Sequence, residues 1–261
     1  MSALGLKLLL VPLLLVLVSW TARRYGPRVS GIVTGLPVVS GPISLFLAVG
    51  NGARFASGAA PGALAGLGGV GAFCGAYAWA SRHAAWPRAL ACGLGGFLVA
   101  AVILQHTSTT LVALSFAALV MLASVRWILA RTDDAAVPHV APPPAAHWEL
   151  PARMALATGI VVGLTAAAEN LGPSVSGVIS TLPVLSAVVA VFTHARGGDR
   201  AVRTFLTGVV GSSIGTVGFF AVIGALLAPD ALLTTYAVAL LATAAPHLLS
   251  SLKGRLSAGA D

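Results

Sequence analysis

Apolar runs interrupted by short polar or glycine-proline stretches divide this chain into nine segments, at residues 3–20, 29–49, 58–80, 88–104, 109–130, 152–168, 174–193, 204–228 and 231–250. Each run is close to the roughly 17 to 25 residues that carry an α-helix across a bilayer. None shows the strand-like alternation of a membrane barrel, and a helix is the other way to satisfy backbone groups in lipid. The pattern predicts an all-α polytopic membrane protein with about nine transmembrane helices. With 57% hydrophobic and 8% charged residues, the chain has too little polar surface to enclose its apolar side chains in water.

The second segment opens on a sequence that returns. Gly26-Pro27-Arg28-Val29-Ser30-Gly31-Ile32-Val33-Thr34-Gly35-Leu36-Pro37-Val38-Val39-Ser40 recurs 146 residues later as Gly172-Pro173-Ser174-Val175-Ser176-Gly177-Val178-Ile179-Ser180-Thr181-Leu182-Pro183-Val184-Leu185-Ser186, with nine of fifteen positions identical. Shifting the first four segments by 146 lands them on the last four, leaving 109–130 as a lone linking helix. The organisation expected is a first four-helix repeat at 1–106, a linking helix at 107–130, a Pro-rich linker at 131–150 and a second four-helix repeat at 151–261. An odd linker inverts the second copy, and inverted repeats are a common transporter architecture.

Charge supplies an independent test. Basic residues that flank membrane helices gather on the cytoplasmic side. With nine crossings, Arg23, Arg24, Arg28, Arg82, Arg88, Arg126, Arg131, Arg153, Arg196, Arg200, Arg203, Lys253 and Arg255 fall on one side, and Lys7 and Arg54 on the other. Thirteen against two puts the N-terminus outside and the C-terminus in the cytoplasm. The net charge of +8 then reflects topology and contact with the lipid bilayer, and calls for no nucleic acid. Residues 1–20 mimic a secretory signal ending near Ala22, but the matching segment from Arg153 to Ala168 is internal, so the repeat predicts a retained helix with Lys7 aligned to Arg153. Cys74 and Cys92 lie inside predicted helices and read as small packing residues. Asp133, Asp134, Pro138 and Pro142 to Pro144 mark a cytoplasmic linker. His139 and His147 within it lack metal-ligand spacing, so no metal is expected.

The repeated motif carries the chemistry. Gly31, Gly35, Pro37, Gly41 and Pro42 fall within twelve residues, and Pro37 removes a backbone donor and clashes with the preceding turn. The helix is expected to kink or break. Broken backbone in lipid must meet protein, hydroxyls or water, and Ser30, Thr34, Ser40 and Ser44 are hydroxyls at hand. The second copy keeps Ser176, Gly177, Ser180, Thr181, Pro183 and Ser186 but has Ala187 and Val188 in place of Gly41 and Pro42, so it is expected to be less distorted. Two interrupted helices at matching positions of inverted halves point to a substrate site near the midplane. The candidate lining is Ser30, Gly31, Thr34, Gly35, Pro37 and Ser40 with Ser176, Gly177, Ser180, Thr181, Pro183 and Ser186. The same small residues also suit plain helix packing, and both readings stand at this point.

Glycines recur in three more segments: Gly62, Gly66, Gly68, Gly69, Gly71 and Gly75; Gly93, Gly95 and Gly96; Gly208, Gly211, Gly215 and Gly218. Their spacing predicts close helix contacts. Gly66 to Gly71 satisfies a dinucleotide-binding pattern, but within an apolar span rather than between strand and helix, so no nucleotide and no other cofactor is expected. Glu169, beside Asn170 before the second Gly-Pro motif, is the one ion-coupling candidate, or else an exposed loop carboxylate. Gln105, His106, Thr107 and Ser108 read as a polar loop cap, and His194 and His247 as interfacial residues. Arg126, one turn from Arg131, is expected to snorkel to the cytoplasmic surface. No nucleophile elbow, zinc-protease histidine pair or phosphate-binding loop is found, so no catalytic residue and no enzyme activity are expected.

Each half, read through Gly31, Pro37 and Gly50 or through Gly177 and Pro183, resembles the GlpM-like small inner-membrane proteins. They share a short first helix, a small basic or polar turn, and a glycine and proline in the second of four helices. The resemblance implies a bacterial inner membrane and a general link to envelope polysaccharide production, with no functional residues to carry over. This chain departs from that pattern in its duplication and its fifth helix. Two functions are therefore expected in competition. One is a small secondary transporter or permease for a small solute or lipid-linked substrate. The other is a non-transporting scaffold or accessory subunit of an envelope polysaccharide assembly complex, as a homo-oligomer or with a complex partner.

Overall fold

The computed structural model describes residues 3–38, 40–107, 110–132, 149–168 and 172–244. Among these residues the regular structure is helical: α1 (Ala3–Tyr25), α2 (Pro27–Gly35), α3 (Ser40–Asn51), α4 (Ala53–Ala80), α5 (Trp86–Thr107), α6 (Leu111–Thr132), α7 (Glu149–Ala168), α8 (Gly172–Ser180), α9 (Val184–Leu226) and α10 (Leu232–Ala244). Five stretches are long and apolar enough to cross a membrane: Pro27–Asn51, Ala53–Ala80, Trp86–Thr107, Leu111–Arg131 and Pro173–Leu226. The chain is a membrane protein built of transmembrane helices.

Three glycines with positive φ set the path between helices: Gly26 (φ 86, ψ 175) opens α2, and the other two form a matched pair. Gly52 (φ 90, ψ 159) precedes α4, and Gly198 (φ 74, ψ −172) interrupts α9. That conformation is essentially reserved for glycine. The two residues are 146 apart in the sequence, and each separates a shorter helical arm from a long straight one. At Gly198 the chain doubles back along α4: Thr181 lies against Gly66, His194 meets Tyr77, and Gly224 returns to Ala60. The hydropathy pattern predicts a loop between 193 and 204. The helix instead continues to Gly197 and resumes at once, with Asp199 and Arg203 paired one turn apart at 3.6 Å.

At the centre, α4 and the second arm of α9 (199–226) run side by side. Both are buried along most of their length and meet their neighbours most closely at glycines, Gly62, Gly66 and Gly69 on α4 and Gly208, Gly211 and Gly215 on α9. Long side chains at those positions would hold the neighbouring backbones apart. The contacts along this pair recur at the repeat interval. A Cβ on Gly31 would strike Phe205 and Val209, and one on Gly177 would strike Ala59 and Ala63. Gly208 meets Arg28 and Ile32, and Gly62 meets Ser174. Gly69 faces the Phe97 carbonyl, and Gly215 faces that of Thr243. So α2 of the first copy lies on the straight arm of the second, and α8 of the second lies on α4 of the first. The crossings also exchange their small partner, since Gly35 meets Ser212 Oγ whereas Gly66 meets Thr181 Oγ1.

The remaining helices surround this core. α5 packs on α4 through Phe97, Phe73 and Gly93, α10 packs on α9, and α1 and α7 lie against each other and against α2 and α8. α6 bridges α4 and α9, setting Ala118, Met121, Leu122 and Val125 against Gly68, Gly71 and Gly75, and Leu111 against Gly224. Of the two cysteines, Cys74 is buried as expected of a packing residue, whereas Cys92 is exposed on the outer face of α5.

Candidate functional site

Both Leu-Pro sequences break their helix, and they do so in the same way. α2 ends at Gly35, Leu36 is extended (φ −67, ψ 157) as the residue before a proline prefers, and α3 begins at Ser40. Val38 N–H donates to the Leu36 carbonyl at 2.7 Å and Gly41 N–H to that of Pro37 at 2.9 Å. In the second copy Val184 N–H donates to Leu182 at 2.7 Å and Ala187 N–H to Pro183 at 2.7 Å. Pro183 (φ −77, ψ 49) sits close to the inverse γ-turn region, in which the proline's fixed φ turns the chain within three residues. The second break is therefore as complete as the first. The turn is set by Leu-Pro itself, so replacing Gly41 and Pro42 by Ala187 and Val188 does not relax it.

Both breaks fall near the middle of the straight helices. Gly35 lies opposite Val209 and Ser212, half-way along the second arm of α9, and Thr181 lies opposite Gly66, half-way along α4. At each break one helix ends and another begins, and the terminal turns of a helix lack intrahelical partners; at the end of α8 the Val178 and Ile179 carbonyls instead accept from the N–H groups of Thr181 and Leu182 at 3.1 and 3.2 Å. The starts of α3 and α9 carry the positive ends of two helix dipoles, and the ends of α2 and α8 carry the negative ends. No side chain caps the start of α9 at Pro183. The Gly35 carbonyl is met by Thr216 Oγ1 at 2.9 Å. Its counterpart on α4 is Val70, so the second break has no such donor from the straight helix.

The candidate residues divide into three kinds. Gly31, Gly35 and Gly177 face neighbouring backbone or hydroxyl and allow the helices to touch. Thr34, Ser180 and Thr181 turn their hydroxyls back to carbonyls of their own helix, on Ser30 at 2.8 Å, Gly177 at 2.7 Å and Val178 at 3.0 Å. Pro37 and Pro183 are buried and make the turns, with Ser40 half-buried and Ser186 buried in the first turns that follow. Ser30 stands apart: it is 0% exposed, and among the described residues its hydroxyl has no hydrogen-bond partner. Ser176, its counterpart, is also buried. Glu169, Asn170, Ser108, His139, His147 and His247 lie outside the described residues.

Several polar contacts around the breaks escaped the sequence reading. Ser44 on α3 bonds the hydroxyl of Tyr236 on α10 at 2.8 Å, beside Phe219, whose ring also lies 3.5 Å from where a Gly41 Cβ would be. Tyr77 and His194 meet at 3.5 Å, edge to face. Gln105 lies in the last turn of α5. Its side-chain N–H bonds the carbonyl and hydroxyl of Ser174 on α8, at 3.3 and 3.1 Å. Thr216 was visible as one of several buried hydroxyls on its helix, with Thr207, Ser212 and Ser213, but its partner was not. The guanidinium of Arg126, expected to snorkel, rests on Gly211. Among the described residues no three His, Cys, Asp or Glu side chains come together as a metal site.

No family model, no curated protein and no solved structure matches this chain.

Proposed function

We infer that this protein is a small secondary transporter or permease of a bacterial inner membrane, working through a central site between its two proline-broken helices. In this reading the chain crosses the membrane nine times with its N-terminus outside and its C-terminus in the cytoplasm. Residues 1–106 and 151–261 are inverted copies joined by α6. The cargo is a small solute or a lipid-linked molecule bound by hydroxyls and free backbone groups, with Glu169 as the ion-coupling candidate. No catalysis is involved.

The observation that carries the reading is the pair of matching breaks. Two Leu-Pro turns with the same hydrogen bonds lie half-way along the two central helices, and discontinuous helices of this kind supply binding groups at the midplane of transporters. The unpartnered Ser30 hydroxyl supports it, since a buried hydroxyl without a partner is a place for water or a polar ligand group. A competing reading, a non-transporting scaffold of an envelope polysaccharide assembly complex, draws on Gly31, Gly35 and Gly177. All three are occupied in packing, which a scaffold also requires.

Proteoliposomes loaded with a bacterial small-molecule and lipid-precursor extract distinguish the two. After dilution, at least one solute should leave vesicles containing the protein faster than empty vesicles or vesicles carrying the Pro37→Ala, Pro183→Ala double variant. If every solute leaves at the same rate in all three, the scaffold reading replaces the transporter.

A further inference from the structure

Arg126 holds a charge where hydropathy gives no reason for one. α6 runs antiparallel to the second arm of α9, with Leu111 at Gly224 and Arg126 at Gly211. Helical side chains slant toward their own N-terminus, and Arg126 follows that slant away from the Arg131 end of α6. A Cβ on Gly211 would come 2.7 Å from its Nη1. Gly211 is thirteen residues from the turn at Gly198, or about 20 Å of helix. It adjoins Ser212, which faces the end of α2. The guanidinium therefore lies at the depth of the first helix break.

The seat is made for it. The position matching Gly211 in the first copy is Ala65, so the second copy lacks a methyl where Arg126 lies and the first, with no such arginine against it, keeps one. Among the described residues no carboxylate pairs with Arg126; the ion pair of this region is Arg203 with Asp199. Arg126 is exposed, and its neighbours on α6 are apolar and exposed too, with Trp127 at 57% and Ile128 at 53%. Arg131 stacks on the Trp127 ring at 3.7 Å. An uncompensated guanidinium facing hydrocarbon is costly and needs an anion. Of the anions that reach a lipid-facing crevice, a phosphate matches the planar donor fork best.

We propose that Arg126 anchors a binding site for a phospholipid of net negative charge, with the headgroup phosphate drawn in between α6 and α9 beside Gly211 and the acyl chains along the exposed apolar side chains of α6, Phe116, Val120 and Trp127. The site stands whether or not the chain transports anything.

The test uses full-length protein in phosphatidylcholine nanodiscs containing increasing amounts of brominated phosphatidylglycerol, reading the fluorescence of Trp127 as the difference from Trp127→Phe. Half-quenching should need about fivefold less phosphatidylglycerol in the natural protein than in Arg126→Gln, the effect of one arginine on an anionic lipid. Gly211→Val, which fills the seat, should behave like Arg126→Gln, and Arg131→Gln should differ little from the natural protein. Equal quenching by brominated phosphatidylcholine, or an Arg131→Gln effect as large as that of Arg126→Gln, would overturn the site in favour of diffuse surface charge. Relief of quenching by millimolar inorganic phosphate would overturn the lipid as its source and assign the site to a free anion.

Discussion

Glycine has two separable uses in this chain, and substitution to alanine tells them apart. At Gly31 and Gly177 the added methyl would strike the carbonyls of Phe205 and Ala59, so two helices must part. Gly31→Ala and Gly177→Ala are each expected to cost about 1–3 kcal/mol, the usual range for overpacking. At Gly50 and Gly159 nothing lies within 4 Å, and alanine there should leave stability unchanged or raise it by up to about 1 kcal/mol. Thermal unfolding in detergent compares all four. The exchanged pair gives a sharper test. Gly35→Thr alone should destabilise by collision with the Ser212 hydroxyl and the Val209 carbonyl, and adding Ser212→Gly should restore part of the loss, because Thr181 against Gly66 is the same pairing of side chain and glycine in the other copy. A coupling energy within about 0.5–3 kcal/mol is expected for residues in contact. The glycines themselves were plain in the sequence, and so was their role in close packing. Their partners were not: self-similarity shows that Gly31 and Gly177 are equivalent, but not that each lies on the other copy.

Among the elements, the broken helices follow from two residues each. Leu-Pro makes the turn at mid-span, and a positive-φ glycine closes the short arm that follows, at Gly52 for α3 and at Gly198 for the first arm of α9. Replacing Gly52 or Gly198 by alanine forces a side chain into a conformation that favours glycine, with an expected cost of about 1–3 kcal/mol and a matching fall in melting temperature. Replacing Pro37 or Pro183 restores a helical donor and should draw each break toward a continuous helix. The proline break was readable from sequence because proline acts locally. The Gly198 hairpin was not, because Arg196, Asp199, Arg200 and Arg203 lower the hydropathy as a loop would, although they sit on helix and Arg203 pairs with Asp199 one turn away. The expectation that the second break would be milder gave weight to Gly41 and Pro42, which follow the turn rather than form it. Arg126 is a related case. Its distance from Arg131 was visible, but the direction of its side chain depends on the bare backbone of Gly211.

For the whole molecule, the exchange of α2 and α8 between copies means that neither half is closed on its own. If the halves move in transport, each carries with it the broken helix seated on it by the other. The proposed nine-crossing topology makes Arg54 external and His83 cytoplasmic. Single cysteines at these exposed positions should therefore react with an impermeant thiol reagent in intact cells at Arg54 and not at His83; the reverse would invert the orientation. The central claim, an aqueous pathway through the two breaks, is tested most directly by cysteine labelling in intact cells and in inverted vesicles. Cys74 and Cys92 are first replaced, and single cysteines are then placed at Thr34 and Ser40 in the first break and at Ser180 and Ser186 in the second. Leu122, fully buried between helices, serves as the protected control and His83 as the exposed one. The account expects small water-soluble reagents to reach break positions of both copies faster than Leu122, from one side of the membrane or the other. Protection of all four to the level of Leu122 on both sides, with His83 labelled, would contradict it and leave the breaks as packing features of a scaffold.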